Sequence, residues 1–302
     1  MSALSNALDN FKQGLLYRGR EGHLSFIGHR LGGLGIVLFL GIHILDTSFA
    51  YFWPAGYGHA LEIYRNPFFM VGEIILTAAV IFHGVNGLNI IFKDTFPHLW
   101  SKKSEPNYFW RVMVITALLW LPAAYLMGRS LVMSVTGQHV PELAEADIIA
   151  RTNLALVAVP VIYAVILGVL AYGASLTRPA VKRAFTPPAR TLETYGWLFM
   201  RWSGALLIPL VWGHVLIQDV LIGVHSITLN YVQLRWGELL WQVYDIALLA
   251  FAFGHGMNGL RAVVEDYIHH PGWLKTVKFL IFWGWVLITV VGAWAILGIA
   301  GK

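Results

Sequence analysis

The chain has 302 residues, 57% of them hydrophobic and 12% charged, with a mean hydropathy of +0.64. A soluble domain carries about 25% charged residues, so this composition excludes an ordinary soluble fold and points to an integral membrane protein. The formal charge of +5 reads as a topology marker rather than a nucleic-acid footprint, and the absence of cysteine excludes thiolate-bound iron–sulfur clusters and disulfides within this chain.

In chain order, the first 24 residues are polar and mixed. Lys12, Arg18 and Arg20 precede the first apolar run, so no cleavable signal peptide is expected and the first helix is retained. Seven mostly apolar segments follow, near 27–49, 68–92, 109–134, 152–176, 197–222, 239–264 and 275–300. Each is long enough to cross a hydrocarbon layer of about 30 Å as a helix. No alternating segments of about ten residues suggest a barrel, so the expected class is an all-α membrane protein with about seven transmembrane helices.

Segment one opens with SFIGHRLGG and carries His43, and segment two carries Glu73 and HGVNGL at 83–88. Segment five opens with RWSG at 201–204 and carries His214, and segment six carries Asp245 and HGMNGL at 255–260. At an offset of 171 or 172, Arg30 falls on Arg201, His43 on His214, Glu73 on Asp245, His83 on His255 and Asp94 on Asp266. This is a duplicated three-helix unit, residues 1–134 and 191–302. Three is odd, so direct fusion would invert the second copy; the segment at 152–176, inside a connector of 135–190, restores its direction. The repeats are therefore expected to be parallel.

With loops assigned alternately, 16 of the 21 Lys and Arg fall on the N-terminal side, Arg178, Lys182, Arg183 and Arg190 among them. Arg65, Arg129, Arg151, Arg235 and Lys302 remain for the other side. The positive-inside rule puts the N-terminus in the cytoplasm and the C-terminus outside.

Of twelve histidines, only His43, His83, His214 and His255 lie well inside apolar segments; His29 is counted with those in loops or at helix ends. Hydrogen-bonded packing explains a lone intramembrane histidine. Two matched pairs on helices of like direction meet the requirement for bis-histidine ligation of b-type haem, one nitrogen from each side. His83 lies about 15 residues from the outer end of its segment and His43 about six, so the pairs differ by roughly 10–14 Å in depth. That leaves room for two stacked haems, the inner on His83 and His255, the outer on His43 and His214. Gly87 and Gly259 share the histidine face and leave room for a flat macrocycle or for close helix packing, while Asn86 and Asn258 suit bonds between helices. Arg30 and Arg201 are membrane-edge anchors or donors to haem propionates or a quinone oxygen. Glu73 and Asp245 are acids for proton transfer or outer-haem contact, or, as the expected reading, interfacial residues facing water.

SFIGHRLGG, HGVNGLNIIFKD and HGMNGLRAVVEDY in this order resemble the haem-containing membrane anchor of succinate dehydrogenase or fumarate reductase, respiratory complex II, with its two small anchor subunits fused. The first half is similar to the cytochrome b556 subunit through the His29–Arg30 pair and His83 followed by Asp94. The second is similar to the hydrophobic anchor subunit through His255, Asp266 and Tyr267. The resemblance implies that His83 and His255 ligate the inner haem b, with His29, Arg30 and Arg201 as further cofactor-binding candidates. Arg30, Asp266 and Tyr267, with Ser25 as an additional candidate, would line a quinone site on the cytoplasmic face where the iron–sulfur subunit docks. It also implies a flavoprotein partner that carries the dicarboxylate chemistry, a place in the respiratory chain and tricarboxylic acid cycle, a prokaryotic inner membrane, and a heterotrimer open to further assembly. His43 and His214 go beyond the single-haem anchors, so two haems and menaquinone are expected. The alternative is a proton-coupled carrier without haem, using the intramembrane His, Glu and Asp as a relay. A retinal protein is disfavoured because Lys278 lies near the cytoplasmic end of the last segment.

Overall fold

The computed structural model describes residues 3–16, 19–99, 101–176 and 191–299; Arg18, Arg178, Lys182, Arg183, Arg190 and Lys302 of the topology assignment lie outside them. The described chain is helical: α1 (Ala3–Leu16), α2 (Glu21–Phe52), α3 (Pro54–Tyr64), α4 (Pro67–Thr95), α5 (Glu105–Val135), α6 (Glu145–Leu176), α7 (Leu192–Val215), α8 (Leu229–Gly237), α9 (Leu239–Leu248), α10 (Gly254–Tyr267) and α11 (Pro271–Gly298). Among the described residues no strand occurs. A hydrocarbon layer cannot satisfy open backbone groups, and helices satisfy them internally.

Among the described residues six stretches are long and apolar enough to cross a membrane: Glu21–Phe52, Pro67–Thr95, Glu105–Val135, Leu192–Ile222, Leu239–Tyr267 and Pro271–Gly298. The predicted connector segment 152–176 lies within α6. We call the face where α2 begins the inner face and the opposite one the outer face. The spans run three to six residues past their predicted limits at the inner face, because charged and capping residues carry a helix beyond the apolar layer. Local chemistry marks the starts: Asn66 precedes Pro67 and its side chain accepts from Phe68 N, Thr191 accepts from Thr194 N, and Thr228 accepts from Tyr231 N. Where the sequence reading saw only polar N-terminal residues, α1 forms, and its Phe11 ring meets Tyr267 edge-on at 5.6 Å.

Among the described residues two π-helical departures from α geometry occur, both in the second half. π-helical turns run over Leu216–Ile222, two residues after His214, and over Leu249–Phe253, ending two residues before His255.

α2 packs on α4, α4 on α7, α7 on α10, and α10 on α2. These four helices form a closed square with α2–α7 and α4–α10 as its diagonals. α5 covers α4 and α2, and α11 covers α10 and α2. The buried apolar core lies toward the outer half, with Ile44, Ile217, Ile222, Trp241, Phe253 and Ala295, and reaches Ile148 and Ala155 of α6. Leu38, Phe68, Leu118 and Leu287 are exposed, as lipid-facing positions require.

Candidate functional site

Each diagonal of the square carries one histidine pair. His83 on α4 faces His255 on α10 with ring centroids 6.4 Å apart, and His43 on α2 faces His214 on α7 at 6.1 Å. Two metal–imidazole bonds of about 2.0 Å, plus about 1.2 Å from each nitrogen to its ring centre, make about 6.4 Å. Both pairs match the spacing of two imidazoles sharing one metal.

At the inner pair the surroundings fix which nitrogen is free. His83 Nδ1 lies 3.1 Å from the His29 carbonyl oxygen and must donate to it. Ser203 Oγ donates to the Phe199 carbonyl, so it accepts from His255 Nδ1 at 2.9 Å. Both rings thereby hold their proton on Nδ1 and leave the Nε2 lone pair unprotonated, the state a metal requires. A Cβ on Gly33 would stand 3.0 Å from His83 Cε1, and one on Gly204 would stand 3.4 Å from His255 Cε1. These glycines occupy matched places in RLGG and RWSG; sequence reasoning matched the motifs but not this contact. For Gly87 and Gly259, read as room for a macrocycle or for close helix packing, an added Cβ would stand 3.8 Å from the His29 ring and 3.7 Å from the Met200 methyl. Both are ordinary contact distances between neighbouring helices.

His29 is not at a helix end, because α2 starts six residues earlier than expected; its ring stacks on His83 at 3.8 Å. At the outer pair, His43 stacks on Phe39 at 5.3 Å, and His214 Nδ1 is buried without a hydrogen-bond partner among the described residues. Gly33 stands ten residues before His43, and Gly204 ten before His214. The two pairs are thus about 15 Å apart along the bundle, slightly beyond the expected 10–14 Å. Paired separations, the fixed Nδ1 protons, the glycine clearance and an orphaned buried nitrogen all fit two bis-imidazole-held groups.

At the inner face the halves exchange ion pairs. Arg30 of the first half pairs with Asp266 of the second, and Arg201 of the second pairs with Asp94 of the first through Nε at 3.0 Å and Nη2 at 2.7 Å. Phe26 lies under the Arg30 guanidinium at 4.3 Å, and Trp197, its counterpart, lies under Arg201 at 4.5 Å. Only the first site adds a phenol: Tyr267 has its ring 5.8 Å from Arg30, whereas Thr95 stands at the matching position. Arg30, Asp266 and Tyr267 are therefore brought together as expected. Ser25 is not joined to them by any hydrogen bond shown; its hydroxyl donates to Asn86 Oδ1 at 2.7 Å and ties α2 to α4. Asn258 Nδ2 makes the matching tie to the Gly196 carbonyl at 3.4 Å. Lys278 is held by Glu265 at 2.5 Å.

The outer acids depart from expectation. Asp245 does not face water: its side chain is 11% exposed and accepts from Arg235 Nη2 at 2.6 Å and Trp236 Nε1 at 3.0 Å. Arg235, taken for an outer-loop topology marker, is itself 2% exposed. Glu73 is half-buried and lines a small cavity with Asp219 and His225. Burial, with the Arg65 charge nearby, holds the His225 imidazole below its ordinary range.

Comparisons with known proteins place the chain among membrane anchor subunits. The chain is 35% identical over 117 residues to the succinate dehydrogenase 2 membrane subunit SdhC of Mycobacterium tuberculosis, covering 37% of this chain and 82% of that one. It is 27% identical over 123 residues to the succinate dehydrogenase hydrophobic membrane anchor subunit of Thermoplasma acidophilum, covering 40% of this chain and 94% of that one. The family profile described as succinate dehydrogenase/fumarate reductase transmembrane subunit matches residues 10–123 and again 174–295. With the larger part of its length covered in two successive stretches, the chain belongs to the succinate dehydrogenase/fumarate reductase transmembrane subunit family.

Proposed function

We propose that this chain is the di-haem cytochrome b anchor of a succinate:quinone oxidoreductase, with two anchor units, residues 1–134 and 191–302, fused through a connector of 135–190. The observation that carries the reading is the pair of diagonal histidine contacts at 6.4 and 6.1 Å inside one four-helix square. His83 and His255 hold the inner haem b, and His43 and His214 the outer. Each haem, when bound, supplies a one-electron carrier. His29 and Ser203 keep the inner rings in the ligating tautomer, and Gly33 and Gly204 give those rings clearance.

Quinone reacts at the inner face beside Arg30. The guanidinium and the Tyr267 hydroxyl are the donors available to a quinone carbonyl oxygen, and Asp266 orients the guanidinium. The Arg201–Asp94 site lacks the phenol, which favours Arg30 over its counterpart. The chain acts as the quinone-reactive subunit, while the dicarboxylate chemistry belongs to flavoprotein and iron–sulfur partners docked on the inner face. A chain without cysteine supplies no cluster of its own, so electrons must reach it from such a partner. The excess of Lys and Arg on the N-terminal side supports the assignment of that face to the cytoplasm of a prokaryotic cell. The second histidine pair supports menaquinone as the quinone, by likeness to two-haem members of the family.

The test is a reduced-minus-oxidised absorption spectrum of the purified complex, with haem b quantified per chain after pyridine extraction. Two haems per chain are expected, falling to one in His255→Ala. A colourless complex would overturn the reading and return the carrier, and one haem would confine ligation to a single pair.

A further inference from the structure

The outer end of the square contains an ion pair that stability does not account for. Arg235 on α8 is 2% exposed, and its side chain meets Asp245 of α9 at 2.6 Å. The Trp241 ring lies 4.3 Å from the guanidinium carbon, and Trp236 Nε1 donates to the second Asp245 oxygen. Burying two charges costs more desolvation than their attraction returns in many proteins, and well-packed apolar residues of like volume hold a fold as firmly. Asp245 lies within the span Leu239–Tyr267, and ionisable groups inside spans are mostly functional.

The pair is fastened around His214. Tyr231, one turn before Arg235 on α8, donates to Gln218 Oε1 at 2.8 Å, one turn after His214 on α7. Tyr244, next to Asp245, donates to the Leu210 carbonyl at 2.6 Å, one turn before His214. Arg235 Nη1 reaches the Tyr231 hydroxyl at 3.4 Å. Both ties place the charged pair within a turn or two of His214, and Asp46, three residues after His43 on α2, adds an acid at the same end of the square. Arginine keeps its charge at any physiological pH, so this is a fixed cation and anion set at one histidine pair. The inner pair has no such buried ion pair among the described residues; the Arg30–Asp266 pair at the inner face is partly exposed.

We propose that Arg235 and Asp245 are positioning residues that set the potential of the group held by His43 and His214, separately from the inner one. The inference rests on the two-haem reading. A fixed cation opposes loss of an electron from the metal and raises its midpoint potential; a fixed anion lowers it. Buried charges act strongly because water screens them little.

The experiment is a redox titration of the haem absorption bands in the purified complex, the outer component being the one lost in His214→Ala. Arg235→Met should lower the outer midpoint potential, Asp245→Asn should raise it, and Arg235→Met/Asp245→Leu should fall between them. The inner component should stay fixed in all three. Two haems in the wild type, with an outer potential that neither single change moves, or that both move in one direction, would overturn the inference alone. Equal movement of the inner component would do the same. A wild type with one haem would overturn the two-haem reading instead. Where Arg235→Met fails to assemble, the near-isosteric Asp245→Asn decides: an outer potential that is unmoved or lowered sinks the proposal. A purely structural staple would change yield or melting temperature and leave both potentials in place.

Discussion

On the two-haem reading, Gly33 and Gly204 mark where one atom would separate a ligating histidine from a displaced one. A methyl group at Gly33 would press on His83 Cε1 from 3.0 Å, tighter than ordinary carbon contact, whereas at Gly204 the gap to His255 is 3.4 Å. Changes that disturb the orientation of a ligating histidine cost about 10- to 100-fold in affinity for the metal group. Gly33→Ala is therefore expected to weaken inner-haem retention about tenfold, Gly204→Ala to do so less, and both to leave the outer haem in place. Loss of each spectral component to excess apomyoglobin measures this; equal losses from the two variants would mean that the clearance is not what holds the ring. The glycines were legible as letters of a repeat. Their role was not, because it lies in a contact between helices that no local spacing encodes. The same holds for His29, which read as a helix-end residue and became the carbonyl partner and stacking neighbour of His83.

Repeats written alike need not fold alike, and the π turn at Leu249–Phe253 is the physical cause in the second half. Glu73 and Asp245 each stand ten residues before their histidine, but α4 is regular over that interval whereas α9 and α10 are joined through the π turn. A π turn absorbs one extra residue, which rotates what precedes it by about 100° about the axis. Glu73 consequently faces a cavity with Asp219, and Asp245 faces Arg235. Deleting Ala250 should convert the turn to regular α-helix, swing Asp245 away from Arg235, and remove or shift the outer haem while His255 and the inner haem stay. Difference spectra of the deletion variant at controlled potentials would read this. Two unaltered components would make the turn a local accommodation without bearing on the site. The count from acid to histidine is ten in both copies, 73 to 83 and 245 to 255. The π turn therefore left no mark in the spacing, and the rotation of Asp245 was not legible.

Across the whole molecule, the spans were legible because lipid imposes one length and one composition on each. The closed square was not, because which helix faces which depends on contacts far apart in sequence. What the square requires of the chain is that α2 and α7 enter from one face and α4 and α10 return. A three-helix unit ends on the face opposite its start, so on the proposed parallel-repeat reading a crossing by the connector segment would let the second unit begin where the first did. α6 also contributes packing: Ile148 and Ala155 join the outer core, and Arg151 donates to the Leu221 carbonyl at 2.7 Å beside the first π turn. These two roles separate by experiment. Joining residue 135 directly to residue 191 by a short linker should start the second unit on the outer face and leave no assembled haem. Expressing residues 1–135 and 191–302 as two chains frees each to insert with its own N-terminus inside, and should restore both haems at a lower melting temperature, since the α6 contacts are gone. Residues 1–135 with 138–302 should restore the haems and most of the thermal stability as well. Haem per complex and melting temperature measure all three. Haem in the direct fusion would mean that the second unit tolerates inversion, and the parallel-repeat reading would fall.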